Sequence, residues 1–254
     1  MDIVTWNVNS LRARMPRVLE FLSDRRPDVV CLQETKVVDE LFPLEPLEDL
    51  GYSVAFHGQK TYNGVAILSR VGLEDVSKGM PDDAEDEQAR VIAAMCDDVL
   101  LLNLYVVNGR EVGDAKYEYK LDWMLRVADL VSEYDMAEKV VVTGDFNVTF
   151  DDQDLYDPEK WRDKILCSQA ERDALAHIMQ PGLTDAYRHF HPEGKDYTWW
   201  DFRSRGYARG EGLRIDHFLV SDPALKAATG VRVDYEMREG EKPSDHAPVI
   251  LSLG

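Results

Sequence analysis

Val140-Val141-Val142-Thr143-Gly144-Asp145-Phe146-Asn147 is an extended apolar run delivered into a polar turn. Four β-branched residues in a row favour a strand over a helix. The run carries no polar face, as expected of a strand whose sheet is covered on both sides. Gly-Asp-Phe-Asn is turn chemistry at the strand's end. Outward from this stretch the pattern recurs at residues 3–6, 29–32, 65–68, 91–95, 99–106, 215–220 and 249–253. Helical patterns lie between them. Tyr117, Leu121, Met124, Leu125, Ala128 and Val131 mark one amphipathic face, and residues 168–179 form a second helix. Asp222-Pro223 opens a short third helix with proline in its first turn, and residues 17–26 form a helix after Pro16. Strands flanked by helices throughout give an α/β fold of two packed β-sheets with helices outside.

At 254 residues and 44% hydrophobic, the chain can bury roughly three-quarters of its unfolded surface, enough for one large domain. No linker, low-complexity block or repeat divides it, so residues 1–254 are read as a single domain. The start, with Asp2 before Ile3-Val4-Thr5-Trp6, lacks the basic opening and long apolar stretch of a secretory signal. No apolar run reaches membrane-spanning length; the one from Val99 is broken by Asn103. Cys31, Cys96 and Cys167 are odd in number and lack metal-ligand spacing, which fits free thiols in a reducing cytoplasm.

A formal charge of −19 is far from the basic footprint usual for a nucleic-acid partner. The acid is concentrated, however. Asp82, Asp83, Glu85, Asp86, Glu87, Asp97 and Asp98 crowd one stretch against Arg90; Asp39, Glu40, Glu45, Glu48 and Asp49 crowd another. Both read as solvated faces. Arg203, Arg205, Arg209 and Arg214 meet only Glu211 in their segment. Exposed charges are screened beyond about 8–10 Å, so remote acid does not cancel a local basic patch.

Four polar clusters sit where strands end: Trp6-Asn7-Val8-Asn9-Ser10, Leu32-Gln33-Glu34-Thr35-Lys36, Gly144-Asp145-Phe146-Asn147 and Ser244-Asp245-His246-Ala247-Pro248. Rigid strands aim such loops at one crevice. Singly, each is ordinary turn chemistry or a surface carboxylate. Together, Glu34, Asp145, Asp216 and Asp245 would repel one another and any phosphate. A divalent cation removes that conflict, and oxygen-only ligands point to Mg²⁺, with Mn²⁺ able to substitute.

These clusters resemble the exonuclease III family of abasic-site endonucleases and 3′ exonucleases, within the endonuclease/exonuclease/phosphatase superfamily. The resemblance spans nearly the whole chain. It includes Tyr105-Val106-Val107-Asn108-Gly109, Tyr197-Thr198-Trp199-Trp200-Asp201-Phe202-Arg203 and Gly212-Leu213-Arg214-Ile215-Asp216 besides the motifs at Asn7, Glu34, Asp145 and His246. Two positions depart from the family pattern: Val107 stands where proline is usual, and Asn9 where some relatives have aspartate.

The resemblance implies a four-layer α/β sandwich that hydrolyses DNA phosphodiesters in repair with Mg²⁺. Glu34 would be the principal metal carboxylate, with Asn7, Asp145, Asn147 and Asp245 around the ion. Asp145 would deprotonate the attacking water or protonate the leaving oxygen. Asn147 would hold the nucleophile or a phosphate oxygen, and Tyr105 would contact the scissile phosphate. His246, oriented by Asp216, would stabilise the transition state. Asn108, Trp199, Arg203, Arg209 and His246 would touch DNA, with Trp199 a platform for an unstacked sugar or base and Trp200 in the core. Phosphate contacts are likewise expected of Arg205 and Arg214.

The implied substrate is double-stranded DNA with abasic sites, nicks, or recessed or blocked 3′ ends. The implied setting is a monomer in a bacterial-type cytoplasm, associated with the nucleoid. Leu166 either staples the following helix or fills space that a baseless sugar in an intact strand would need. In the second case 3′-end processing rivals or exceeds internal incision. The competing readings are another phosphodiesterase or phosphatase of the superfamily, and a non-catalytic DNA-binding protein on the same fold. Tyr197–Arg203 and Leu213–Asp216 argue against the first; retention of Glu34, Asp145, Asn147, Asp216 and His246 argues against the second.

Overall fold

Along the first strand, β1 (Asp2–Asn7), side chains part by parity. Ile3 packs into a seam between two sheets, whereas Val4 and Trp6 pack the other way, against Val18, Phe21 and Leu22 of the helix Leu11–Arg25. A computed structural model describes residues 1–81 and 88–254; the acidic residues Asp82, Asp83, Glu85, Asp86 and Glu87 lie outside the described residues. The further strands are β2 (Val29–Gln33), β3 (Ser53–His57), β4 (Val65–Ser69), β5 (Glu74–Lys78), β6 (Val91–Cys96) and β7 (Val99–Tyr105). They continue with β8 (Lys139–Asp145), β9 (Thr184–Asp185), β10 (Trp199–Trp200), β11 (Gly212–Leu213), β12 (Asp216–Val220), β13 (Ala228–Val233) and β14 (Val249–Leu253).

One mixed six-stranded sheet runs β13-β14-β1-β2-β4-β3 and the other β5-β6-β7-β8-β12-β9. Their facing sides close over Ile3, Cys31, Val65 and Ile67 from one sheet and Ile92, Ala94, Val141 and Phe218 from the other. The outer face of the second sheet is covered by the helices Ala115–Ser132 and Gln169–Met179 through Trp123, Met124, Val127, Leu175 and Ile178. The result is helix, sheet, sheet, helix: the four-layer sandwich expected. One polar tie crosses the apolar seam. The Gln33 side-chain amide donates to Asn103 Oδ1 at 2.8 Å, and the Asn103 amide donates to the carbonyls of Leu32 and Ala66.

Two helical expectations need correction. The first helix begins at Leu11, not after Pro16, with the Ser10 hydroxyl accepting from Ala13 N–H. Pro16 is tolerated because it lies on the exposed face, where the carbonyl it leaves unpaired is open to water. In Ala115–Ser132 the buried face runs Tyr117, Lys120, Trp123, Met124, Val127, Ala128 and Val131, while Leu125 is 45% exposed. The face is rotated because a tryptophan and a paired lysine take the inner positions. The helix Gln169–Met179 opens with a reciprocal cap between Ser168 and Glu171.

Candidate active site

Parallel pairing of β1 with β2 and of β7 with β8 brings four strand ends to one edge of the sandwich. They deliver Asn7, Glu34 (one residue beyond β2), Tyr105 and Asp145. Antiparallel β12 sets Asp216 beside Asp145, and antiparallel β14 places residues 244–246 at the Asn7 end of β1. Gly144 is required here. Its φ is +140°, and a Cβ would fall 1.9 Å from the Leu104 carbonyl oxygen. The His246 segment is stitched to its neighbours: Trp6 Nε1 donates to the His246 carbonyl, the Ser244 hydroxyl to the Asn7 carbonyl, and Ala247 N–H to the Thr198 carbonyl.

The side chains then meet across the two sheets. The buried Asn7 amide donates to Glu34 Oε1 at 2.9 Å and to Asp145 Oδ2 at 2.8 Å. His246 Nδ1 lies 2.9 Å from Asp216 Oδ2, and its Nε2 lies 3.7 Å from Asp145 Oδ2. Asp245 accepts from Asn9 Nδ2 at 3.0 Å and from Trp199 Nε1 at 3.2 Å. Burial pushes the Asp145 carboxyl up to about 7, with the imidazole of His246 opposing and the charge of Asp216 adding to the rise. Burial alone would lower His246, but Asp216, Asp145 and Asp245 outweigh it and raise the imidazole to about 10. Burial and the charges of Glu34 and Asp145 hold the Tyr105 hydroxyl well above its ordinary value, so it stays a neutral donor.

Asn147, at φ +49°, donates from its side chain to the Val106 carbonyl and accepts from Asn108 Nδ2, each at 3.0 Å. Its N–H donates to Asp145 Oδ1 at 2.9 Å, so Asp145 and Asn147 share one turn. Arg90, expected among surface acids, is buried beneath Tyr105, its guanidinium 4.7 Å from the ring and donating to the Tyr105 carbonyl.

The carboxylates gathered by Asn7 suit a cation: Glu34 Oε1 and Asp145 Oδ2 lie 2.9 and 2.8 Å from the Asn7 amide nitrogen, and the Lys36 ammonium stands 2.6 Å from Glu34 Oε2 and 2.6 Å from Asn9 Oδ1. Positive charge is thus already drawn to the Glu34 carboxylate. Atoms of Asp145, Asp216 and His246 also lie within 4.8 Å of one another, but a charged His246 offers no lone pair, and only Asp145 of that group belongs to the expected ligand set. Beside Lys36 a groove of about 420 Å³ is edged by Arg12, Lys36 and Lys60, a local basic patch on an acidic chain. Glu40, Glu45, Glu48, Asp49, Asp97 and Asp98 are exposed, as a solvated face requires.

The arginines divide. Arg203 and Arg205 are exposed on the loop after β10, and Arg209 is ion-paired to Glu211. Arg214 overturns expectation. It is 1% exposed and forks onto Asp154 at 2.7 Å and Asp185 at 2.7 Å, so it binds the fold together and cannot reach a phosphate. Trp200 is buried against Tyr207 and Tyr235, while Trp199 is half-buried beside Asp245. Leu166 sits at φ +72°, 4% exposed, in an apolar cluster with Leu155, Leu213 and Ile215 that backs Trp199.

Lys36 was legible only as part of a quoted motif, and Arg12 and Lys60 carry no local signal, because a cation on a strand-end loop looks like any surface residue.

A family model described as the endonuclease/exonuclease/phosphatase family matches residues 4–246. An exodeoxyribonuclease III of Haemophilus influenzae is 35% identical, the match covering 98% of each chain. Among solved structures, the 3′ phosphatase NExo from Neisseria bound to a product DNA hairpin superposes with a TM-score of 0.98 at 45% identity, covering 100% of this chain and 99% of that one. An AP endonuclease from Archaeoglobus fulgidus gives 0.96 at 36% identity, again over 100% and 99%. With its two-sheet sandwich, its carboxylate–histidine edge and a match over residues 4–246, the chain belongs to the endonuclease/exonuclease/phosphatase family.

Proposed function

We propose that the chain is a DNA-repair nuclease that hydrolyses phosphate esters at 3′ ends and abasic sites of double-stranded DNA, using Mg²⁺. Asn7 joining Glu34 to Asp145 across the two sheets, with His246 between Asp145 and Asp216, is the observation that carries this reading. Mg²⁺ held by Glu34, with Asn7, Asp145, Asn147 and Asp245 around it, would supply Lewis-acid stabilisation of phosphoryl charge.

The chain's own groups do the rest. A water hydroxyl joins phosphorus, the bond to the leaving oxygen breaks, and one proton must travel. Asp145, buried at the end of its strand with Oδ2 3.7 Å from His246 Nε2, is placed to take or give that proton. His246, charged and fixed through Nδ1 by Asp216, presents Nε2–H to a non-bridging oxygen, and neutral Tyr105 donates a second bond. Asn147, braced by Asn108, orients the phosphate. Trp199 and Arg203 flank the strand, and Arg209 joins them once it exchanges Glu211 for phosphate.

Processing of recessed or blocked 3′ ends rivals or exceeds abasic incision, supported by a 3′ phosphatase among the relatives; Leu166 itself packs with Leu155, Leu213 and Ile215 behind Trp199, so any part it has in this preference acts through that cluster. The enzyme is a monomeric single domain over residues 1–254, acting in the cytoplasm at the nucleoid. Labelled duplexes with an internal abasic analogue, a recessed 3′ end or a 3′ phosphate test this in Mg²⁺. Glu34→Gln should nearly abolish cleavage at ordinary Mg²⁺; full activity in excess chelator would refute the metal's role.

A further inference from the structure

A second buried ion pair, besides that of Arg214, takes no part in the chemistry above. Lys120, on the inner face of the helix Ala115–Ser132, and Glu171, in the first turn of the helix Gln169–Met179, are both 0% exposed and bonded to each other. A buried pair of this kind contributes little net stability, because desolvation offsets the attraction; well-packed apolar residues often serve as well. What it does supply is placement.

All three ammonium protons of Lys120 have acceptors: the Asn147 carbonyl at 2.7 Å, the Asn108 carbonyl at 3.2 Å, and Glu171. Asn108 and Asn147 are the residues whose side chains bond each other at the active site. Glu171 in turn accepts from the N–H of Leu166 at 3.1 Å and of Ser168 at 3.0 Å, anchoring the pair to the loop that backs Trp199. We infer that Lys120 and Glu171 are positioning residues for the reaction: by gripping the backbone of Asn108 and Asn147 they hold the Asn147 side chain at the phosphate. This rests on the role proposed above for Asn147.

The neutral pair Lys120→Met/Glu171→Gln removes the grip without leaving a charge buried and unpaired. Steady-state cleavage of a recessed 3′ end should be measured at equal folded concentration, alone and combined with Asn147→Ala. A displacement of about 1 Å can cost on the order of 100-fold, so kcat should fall roughly 10- to 100-fold with KM within about threefold. Added to Asn147→Ala, the pair should cost no more than about threefold further, because the group it positions is gone. Lys120→Arg, which keeps charge and donors, should retain kcat within about threefold. Lys120→Gln/Glu171→Gln, which is also neutral but keeps polar groups between the two helices, enters the same cycle and carries the test if the first pair melts below the assay temperature. Losses that multiply with Asn147→Ala, or a kcat near wild type in the neutral pair, overturn the positioning role alone. Near wild-type kcat in Asn147→Ala by itself overturns the role of Asn147 and the inference with it.

Discussion

Leu166 should invert the usual order of core substitutions. Its side chain is 4% exposed, so truncation to alanine removes a buried isobutyl group and leaves a cavity, at about 2–5 kcal/mol. Its φ of +72° adds a second contribution: a left-handed backbone costs an L-residue about 1–2 kcal/mol, and alanine keeps that cost. Glycine does not, and where φ is positive it is favoured over alanine by more than about 0.4–1 kcal/mol net. Leu166→Gly should therefore be the more stable of the two, although it deletes more. Urea unfolding followed by tryptophan fluorescence reads the difference as a shift in midpoint at unchanged slope. Both variants open the same space behind Trp199, so both should raise the ratio of abasic incision to 3′-end removal. A gain of about 1 kcal/mol for the extruded sugar is roughly fivefold in that ratio. Leu166→Met, which conserves volume, should leave the ratio near wild type. Alanine as stable as glycine would refute the strain argument; an unchanged ratio in both would confine Leu166 to packing.

Asp145→Asn keeps size and hydrogen-bonding capacity but cannot transfer a proton, so turnover should drop about 100- to 10,000-fold while duplex affinity in a gel-shift assay holds. Near wild-type turnover would remove Asp145 from the proton path. Trp199→Ala should impair 3′-end processing more than it lowers the melting temperature; the opposite outcome returns Trp199 to the core. Burial alone would raise the Asp154 carboxyl, but the charge and hydrogen bonds of Arg214 outweigh it and hold it below its ordinary value. Its contribution to stability is therefore full above the unfolded carboxylate value of about 3.9 and is lost as pH falls through the lower folded value. Asp154→Asn should be destabilised by about 3–5 kcal/mol near pH 7, and the gap to wild type should narrow as pH falls below the unfolded carboxylate value. A gap that widens in acid would contradict the sign.

What could be read without coordinates follows burial. The interior strands β1, β2, β4, β6, β7, β8, β12 and β14 were all legible, because strands covered on both faces are apolar throughout. The edges β3, β5, β9 and β13 were not. All five residues of β5 are exposed, β13 is interrupted by an irregularity at Gly230, and β9 has two residues. An edge strand keeps charge on its surface and loses the alternation that betrays it. In the active site, Asn7, Glu34, Asp145, Asp216 and His246 were legible because strand-end polar clusters interrupt apolar runs. Arg214 misled because its charge density resembled a DNA contact; its partners Asp154 and Asp185 lie 60 and 29 residues away in sequence. Lys120 was hidden within an apolar periodicity, and only its distant partner Glu171 explains its place there.

β14 is the last of the described strands in sequence, yet it pairs between β13 and β1, one strand in from the edge of its sheet. Asp245 and His246 immediately precede it. While the ribosome is still at work, Glu34, Asp145 and Asn147 already exist, but the acidic edge lacks its histidine and β1 lacks its antiparallel neighbour. Completing that edge therefore requires the segment 244–253 to pair beside Asp2–Asn7. A chain stopped before residue 244 would carry Glu34, Asp145 and Asn147 without the histidine that sits between Asp145 and Asp216.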